Sequence, residues 1–291
     1  MQFPELKYQF SFRIINLSGG QSICYTDEGN GKDVLLFIHG LASYIPAWRK
    51  NVTVLNKSFR CICVDLPGYG KSTAGEHSGK ISFYAEVLAE FISTLKLNKV
   101  TLVGHSMGGH IAIGLTLRHP EHMQNLILLA PAGFETFRND ESQLIKQAFT
   151  SDTFINSDET QIRNSFNGNF FRMPSDAEPM TQDRLAMRNW ANFYAHANVV
   201  ANSLYGMLDD PVFNQLSSIN QKTLVLYGEN DSLIPQPVLH PGLTTKVIAI
   251  KGVAQLPNAD LVFIKECGHF LQYEKPDEIN SVIQNFMGYS E

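Results

Sequence analysis

Six short runs in this chain are apolar on both faces, and each stops at a turn. They are Val34–Ile38, Cys61–Val64, Val100–Val103, Leu126–Leu129, Thr223–Leu226 and Leu261–Ile264. The first five end in His39-Gly40, Asp65-Leu66-Pro67-Gly68, Gly104, Ala130-Pro131 and Tyr227-Gly228, and the last ends shortly before Gly268. A strand with one wet face alternates polar and apolar residues. A continuous run needs cover on both sides, which a parallel sheet between helices supplies. Helical stripes fill the gaps: Tyr84, Val87, Leu88, Phe91 and Leu95 form one, and Ile279, Val282, Ile283 and Phe286 another, the latter opened by Pro276 with Asp277 and Glu278 in its first turn. Before these, Tyr8, Phe10, Phe12 and Ile14 alternate, and Ser18-Gly19-Gly20 reads as a turn, so the first 30 residues read as two antiparallel strands. The expected fold is α/β: a mostly parallel eight-stranded sheet flanked by helices.

From about Pro131 to Lys222 the rhythm stops, with no β-type run. A gap of that size holds its own structure. The expected division is a core of residues 1–130 and 223–291, with a helical cap, 131–222, inserted after the sixth strand.

The 23 Lys+Arg against 28 Asp+Glu give a net charge of −5, without the clustered basic surface that nucleic acid binding needs. No uninterrupted apolar run is long enough for a transmembrane helix, and the start, MQFPELKYQF, does not read as a signal peptide. Four Cys are too few for a disulfide scaffold, which points to a reduced, cytoplasmic setting. Cys61-Ile62-Cys63 lacks zinc spacing, and Gly68-Tyr69-Gly70-Lys71-Ser72 lacks P-loop spacing, so no metal and no cofactor are expected.

The sharpest chemical signal is Gly104-His105-Ser106-Met107-Gly108-Gly109, directly after one apolar run and before a helical stretch. A strand–turn–helix with small residues two positions either side of a Ser lifts its hydroxyl above the sheet, the nucleophile elbow. A Ser needs a base. Of nine His, His269 follows the last apolar run and precedes the final helix, where a cleft forms. His105 points away from its neighbour Ser106, His240 sits in a Pro-rich loop with no strand leading to it, and His39 braces the loop after its strand. The base needs an orienting acid. Asp231, in the sharp turn after Thr223–Leu226, is the preferred residue, with Glu229 its nearest rival. The backbone N–H groups of Met107 and of Leu41, after Gly40, are the expected oxyanion donors.

The stretches FIHGLAS, VDLPGYGKS, VGHSMGGHIA, GENDSLIP and CGHFLQYEKPDEI together resemble the α/β-hydrolase fold superfamily, in its branch of serine hydrolases with a helical cap. The resemblance implies Ser106 as nucleophile, Asp231 as acid, His269 as base and an acyl-enzyme mechanism. The segment 236–258 between acid and base is longer than usual in that family.

The insertion holds nine of nineteen Phe and also Trp190, so the expected cleft is apolar, with Phe134, Trp190 and Phe270 proposed to contact substrate. Arg184 and Arg188, the basic residues near Trp190, read as a solvated helix face, with a hold on a substrate carboxylate as the alternative. Haloalkane dehalogenases and epoxide hydrolases put Asp at the elbow, where this chain has Ser106. Proline iminopeptidases carry His-Gly-Gly-Pro-Gly, where this chain has His39-Gly40-Leu41-Ala42-Ser43. Meta-cleavage C–C hydrolases commonly carry Asn before the nucleophile and Trp after the base, where this chain has His105 and Phe270, which weighs against that branch. The expected activity is hydrolysis of a carboxylic ester with a small to medium apolar acyl group. The alternatives are a C–C bond hydrolase of the meta-cleavage type and a slow-turnover ligand sensor of the same fold. The expected partners are a small-molecule ester-like substrate, with a homodimer left open.

Overall fold

A computed structural model describes residues 3–73 and 77–289. Its eight strands are β1 (Phe12–Asn16), β2 (Ser22–Glu28), β3 (Val34–Ile38), β4 (Arg60–Val64), β5 (Val100–His105), β6 (Met123–Leu129), β7 (Lys222–Gly228) and β8 (Ala259–Ile264). They form one sheet in the order β1-β2-β4-β3-β5-β6-β7-β8. β2 pairs antiparallel with both β1 and β4, and every other pairing is parallel. β5, in the middle, is buried along its whole length. Its continuous apolar character matches a strand covered on both faces.

The helices are α1 (Arg49–Leu55), α2 (Ile81–Thr94), α3 (Met107–Arg118), α4 (Asn139–Ala148), α5 (Ser151–Ile155), α6 (Glu159–Asn167), α7 (Glu178–Met187), α8 (Phe193–Asp209), α9 (Thr245–Val253), α10 (Leu271–Glu274) and α11 (Pro276–Phe286). Each predicted stripe turns inward: Tyr84, Val87, Leu88 and Phe91 of α2 are buried, as are Ile279 and Ile283 of α11. After β6 the chain leaves the sheet for α4–α8 and returns at β7, so the insertion is helical. The long segment between acid and base holds α9. All four cysteines are free and buried. No helix among the described residues is long and apolar enough to cross a membrane.

The N-terminus corrects one expectation. The alternation starting at Tyr8 predicts a strand there, but β1 begins at Phe12, and Phe12 and Ile14 are exposed. Tyr8 instead donates its hydroxyl to the buried Asp65 carboxylate, which also accepts the Ile45 and Lys71 N–H groups. That side chain bond takes the segment out of the sheet ladder.

β3, β5 and α3 approach so closely that only glycine fits between them. A Cβ on Gly104 would lie 2.4 Å from the Gly108 carbonyl oxygen, and one on Gly108 would lie 2.2 Å from that of Ile38. Both obstacles are backbone and cannot swing aside. Gly108→Ala is therefore expected to cost about 3 kcal/mol, at the upper end of overpacking penalties. Urea unfolding measures this, and a loss below about 1 kcal/mol would show that α3 shifts freely away from β3.

Candidate active site

Ser106 joins β5 to α3 at φ 53°, ψ −117°, a left-handed conformation that strains a residue with a Cβ. Its surroundings hold it there. The Ser106 N–H donates to the Leu129 carbonyl (2.9 Å), and its own carbonyl accepts from the N–H groups of Gly109, His110 and Ala132. The side chain is thereby turned into a cavity of about 650 Å³ that lies between the carboxyl ends of the strands and the helical insertion. Among the described residues its hydroxyl makes no hydrogen bond.

The loop after β3 comes up beside it. Gly40 makes this approach possible, since a Cβ there would sit 3.0 Å from His105 Nδ1 and 3.2 Å from Ser106 Cβ. Leu41 and Ser106 line the same cavity. Among the described residues, the N–H groups of Leu41 and Met107 donate to nothing, and the second opens α3, where the helix dipole is positive. Two free donors beside a raised hydroxyl suit an oxyanion. His39 braces this loop. Its Nε2 accepts the Leu66 N–H (3.1 Å), which puts the ring proton on Nδ1, donating to the Gly40 carbonyl (2.8 Å). Burial lowers its pKa to about 4 and keeps it neutral.

His269 lies on the same cavity wall. Its Nδ1–H donates to Asp231 Oδ2 at 2.7 Å, which leaves Nε2 free. Asp231 is fixed in turn, because its Oδ1 accepts the Leu233 (2.8 Å) and Ile234 (3.1 Å) N–H groups. Both side chains are almost completely buried. The rival Glu229 is exposed. A buried carboxylate that fixes one imidazole tautomer can present the other nitrogen as a base.

His105 does point away from Ser106, and it has a use there. Its Nε2–H donates to the His269 backbone carbonyl (2.9 Å), and its ring lies 4.9 Å from the His269 ring and 5.1 Å from Phe270. It pins the loop that carries His269. Burial holds its pKa well below the ordinary value.

The chain belongs to the α/β hydrolase fold family, whose description matches residues 33–276. This α/β-hydrolase chain is 28% identical over 278 residues to a 2-hydroxy-6-oxononadienedioate/2-hydroxy-6-oxononatrienedioate hydrolase of Burkholderia vietnamiensis, covering 90% of each chain. Its fold is similar to that of a probable hydrolytic enzyme from Pseudomonas aeruginosa PAO1 (TM-score 0.84, 21% identity, 97% of this chain and 96% of that one). It is also similar to a meta-cleavage product hydrolase from Pseudomonas fluorescens IP01 (TM-score 0.76, 20% identity, 95% and 97%). These findings overturn the expectation of plain carboxylic-ester hydrolysis. The sequence relatives carry the name of an oxodienoate hydrolase, and a substrate so named contains no ester bond. His105 and Phe270, which weighed against that branch, are outweighed by similarity along nine-tenths of the chain.

The three residues expected to contact substrate fall outside the cavity lining. Phe134 is fully buried and fills the space beside Gly252 and Tyr227. Trp190 packs on Phe3, at 5.6 Å between ring centres. Phe270 stacks with Tyr273 and packs against Phe170 and the His105 ring. The apolar wall comes instead from Phe137, Phe149, Phe154, Phe193 and Phe213.

Arg184 is the larger correction. The sequence places it on a solvated helix face, yet it lines the cavity. Its guanidinium lies 4.6 Å over the Phe166 ring, and Nη2 donates to the Ala42 carbonyl at 2.9 Å. Nε is buried without a partner, and no carboxylate pairs with the group among the described residues. Burial lowers its pKa from the usual value to about 10. The adjacent Asp183 does not pair with it and accepts the Tyr44 hydroxyl instead (2.5 Å).

Proposed function

We propose that this protein hydrolyses a carbon–carbon bond in a 2-hydroxy-6-oxo-dienoate, with Ser106 as nucleophile, His269 as base and Asp231 as its orienting acid. The observation that carries the reading is Arg184. A half-buried cation without a counter-ion, its Nε sealed from water, is costly, and in an enzyme cavity it is complementary to a substrate anion. The dienoate carboxylate is such an anion. The relatives' names supply the bond to be broken, since an oxodienoate offers water only a carbon–carbon bond.

The chemistry follows from where electrons can go. A serine hydrolase can expel carbon only if the departing carbanion is stabilised. Ketonisation moves a proton from the 2-hydroxyl to C5 and creates a conjugated carbonyl at C2. Ser106 then attacks the C6 carbonyl while neutral His269 takes the hydroxyl proton. The C6 oxyanion is held by the Leu41 and Met107 N–H groups. On collapse the C5–C6 bond breaks, and its electron pair runs through the conjugated chain to the C2 oxygen. The proton that His269 took from Ser106 passes to that oxygen, which gives a 2-hydroxydienoate and leaves His269 neutral again. Water, deprotonated by His269, releases the acyl group from Ser106 as a carboxylic acid. Arg184, held above the Ala42 carbonyl beside the oxyanion loop, would bind the C1 carboxylate and stabilise charge arriving at C2.

Cleavage of a synthetic 2-hydroxy-6-oxo-dienoate, followed by loss of its visible absorbance, tests this directly. Arg184→Met is expected to lower kcat/KM by about 10²–10³-fold, the scale for removing one partner of a buried charge pair. It should not lower the melting temperature, because an unpaired buried charge is replaced by an apolar chain of similar length. Turnover of the dienoate that is undiminished in Arg184→Met would remove the support for the reading.

A further inference from the structure

The cavity is electrically polarised along the sheet, and Ser106 stands between its poles. On the β3 side is Arg184, bonded to the Ala42 carbonyl, and Arg188, one helical turn further on, also lines the cavity. On the opposite side, beyond β5, the loops after β6 and β7 bring Glu135 and Gln236 to the wall. Glu135 is deeply buried, with its side chain only 7% exposed. Its Oε1 accepts from His240 Nδ1 and from the Gln236 N–H (2.9 Å), and its Oε2 lies 3.1 Å from the same N–H.

The basic side chains nearby already have partners. His240 sits between two carboxylates, with its Nε2 3.6 Å from Glu141 Oε2. Phe137 stacks on the His240 ring (5.3 Å, 16°) and itself lines the cavity, so it screens that ring from a ligand. Arg138 is paired with Glu141 and Asp140. His110 donates to the Asp210 carbonyl and is kept neutral by burial. The rest of this wall is mostly apolar, with Phe149, Phe213, Leu233 and Ile234, and its neutral polar members are Thr136 and Asn214.

We propose that Glu135 is a specificity-determining residue that makes the acyl half of the substrate uncharged. This inference rests on the carbon–carbon reading for its substrate and deepens it. With the C1 carboxylate on Arg184 and the C6 carbonyl at Ser106, the acyl half extends toward Glu135. A terminal carboxylate there would bring lone pairs against the accepting oxygens of Glu135, whose charge burial already disfavours. Pairing with His240 does not remove that clash, because the open Glu135 oxygen still only accepts. A methyl end, or a hydroxyl end that donates, meets no such penalty. The enzyme therefore takes a monocarboxylate, in contrast to the dioates for which the relatives are named.

Two substrates that differ only at C9 test this: 2-hydroxy-6-oxonona-2,4-dienoate, ending in methyl, and the corresponding 1,9-dioate. The wild-type enzyme should favour the methyl-ended compound by about tenfold or more in kcat/KM, a modest yield for like charges at a partly screened site. Glu135→Gln should shrink that ratio, while Glu135→Asp, which keeps the charge, should preserve it. Equal or better cleavage of the dioate by the wild type, or a ratio unchanged in Glu135→Gln, overturns the inference. A binding measurement separates it from the reaction itself. Ser106→Ala should bind 6-oxononanoate more tightly than 6-oxononanedioate by calorimetry. If neither dienoate is cleaved and this preference holds, the carbon–carbon reading fails and the polarity of the cavity stands. Equal or reversed affinity, or binding of neither ketoacid, overturns the inference.

Discussion

Ser106→Ala is expected to lower kcat for dienoate cleavage by about 10⁴-fold or more, the scale seen when a triad nucleophile is removed. The substitution deletes one hydroxyl and no structural bond. Every hydrogen bond that holds position 106 in its strained conformation is made by backbone, so the elbow persists without the side chain. The melting temperature should stay within a few degrees of wild type, since surface-facing changes of this size cost about 0.5 kcal/mol. Affinity for a methyl-ended ketoacid should persist, because Arg184 and the Phe wall remain. Labelling by a fluorophosphonate should disappear in the same variant. Retention of cleavage would transfer the chemistry to a route that does not form an acyl-enzyme at Ser106.

Acidification should unfold this protein early. Burial lowers the pKa of His39, His110 and His196 to about 4 and that of His105 well below its ordinary value. In the unfolded chain all four titrate near 6.5. Between those values the unfolded state binds more protons, so stability is lost as pH falls below about 6.5. Each such imidazole contributes a slope of up to about 1.4 kcal/mol per pH unit. Asp65 works the other way: burial pushes its pKa up to about 6, so it favours the fold as pH falls from there toward its unfolded value. Burial also raises the Glu135 and Asp183 carboxyls, and lowers His77 to about 4 with the other rings; the carboxyls do not offset the imidazoles. The urea midpoint should therefore drop steeply between about pH 7 and pH 5, by several kcal/mol of a typical total of about 5–15. His39 gives this a structural basis, because protonating Nε2 would destroy its acceptance of the Leu66 N–H. A midpoint unchanged across that interval would mean that these rings gain protons without unfolding the chain.

Much of the architecture was legible because it depends on local rules. The apolar runs became β3 to β8, the stripes became α2 and α11, and the long break became α4–α8. Ser106 was legible from the spacing of Gly104 and Gly108, and Asp231 from the turn after β7. The substrate wall was not legible. Counting Phe residues says that a segment buries apolar surface, but hydrophobic burial has no direction. Phe134, Trp190 and Phe270 met that demand by packing against Gly252, Phe3 and Phe170, leaving other Phe residues to face the ligand. The bond to be cleaved was misread for a related reason. His105 and Phe270 were weighed as isolated letters, whereas similarity along nine-tenths of the chain carried more weight.

The sequence by itself determined where the hydroxyl, the imidazole and the carboxylate sit in the chain, and that they end at one edge of a parallel sheet. Short-range sterics and hydrophobic periodicity are enough for that. Only the tertiary structure decided the electrical character of the space above Ser106. Whether Arg184 is a solvated charge or an unpaired one depends on where Asp183 turns and on the Tyr44 hydroxyl, 139 positions earlier, that donates to it. Whether Glu135 faces water or a ligand depends on a loop that arrives from beyond β7. Desolvation and pairing are set by neighbours in space, and the order of residues along the chain does not contain them.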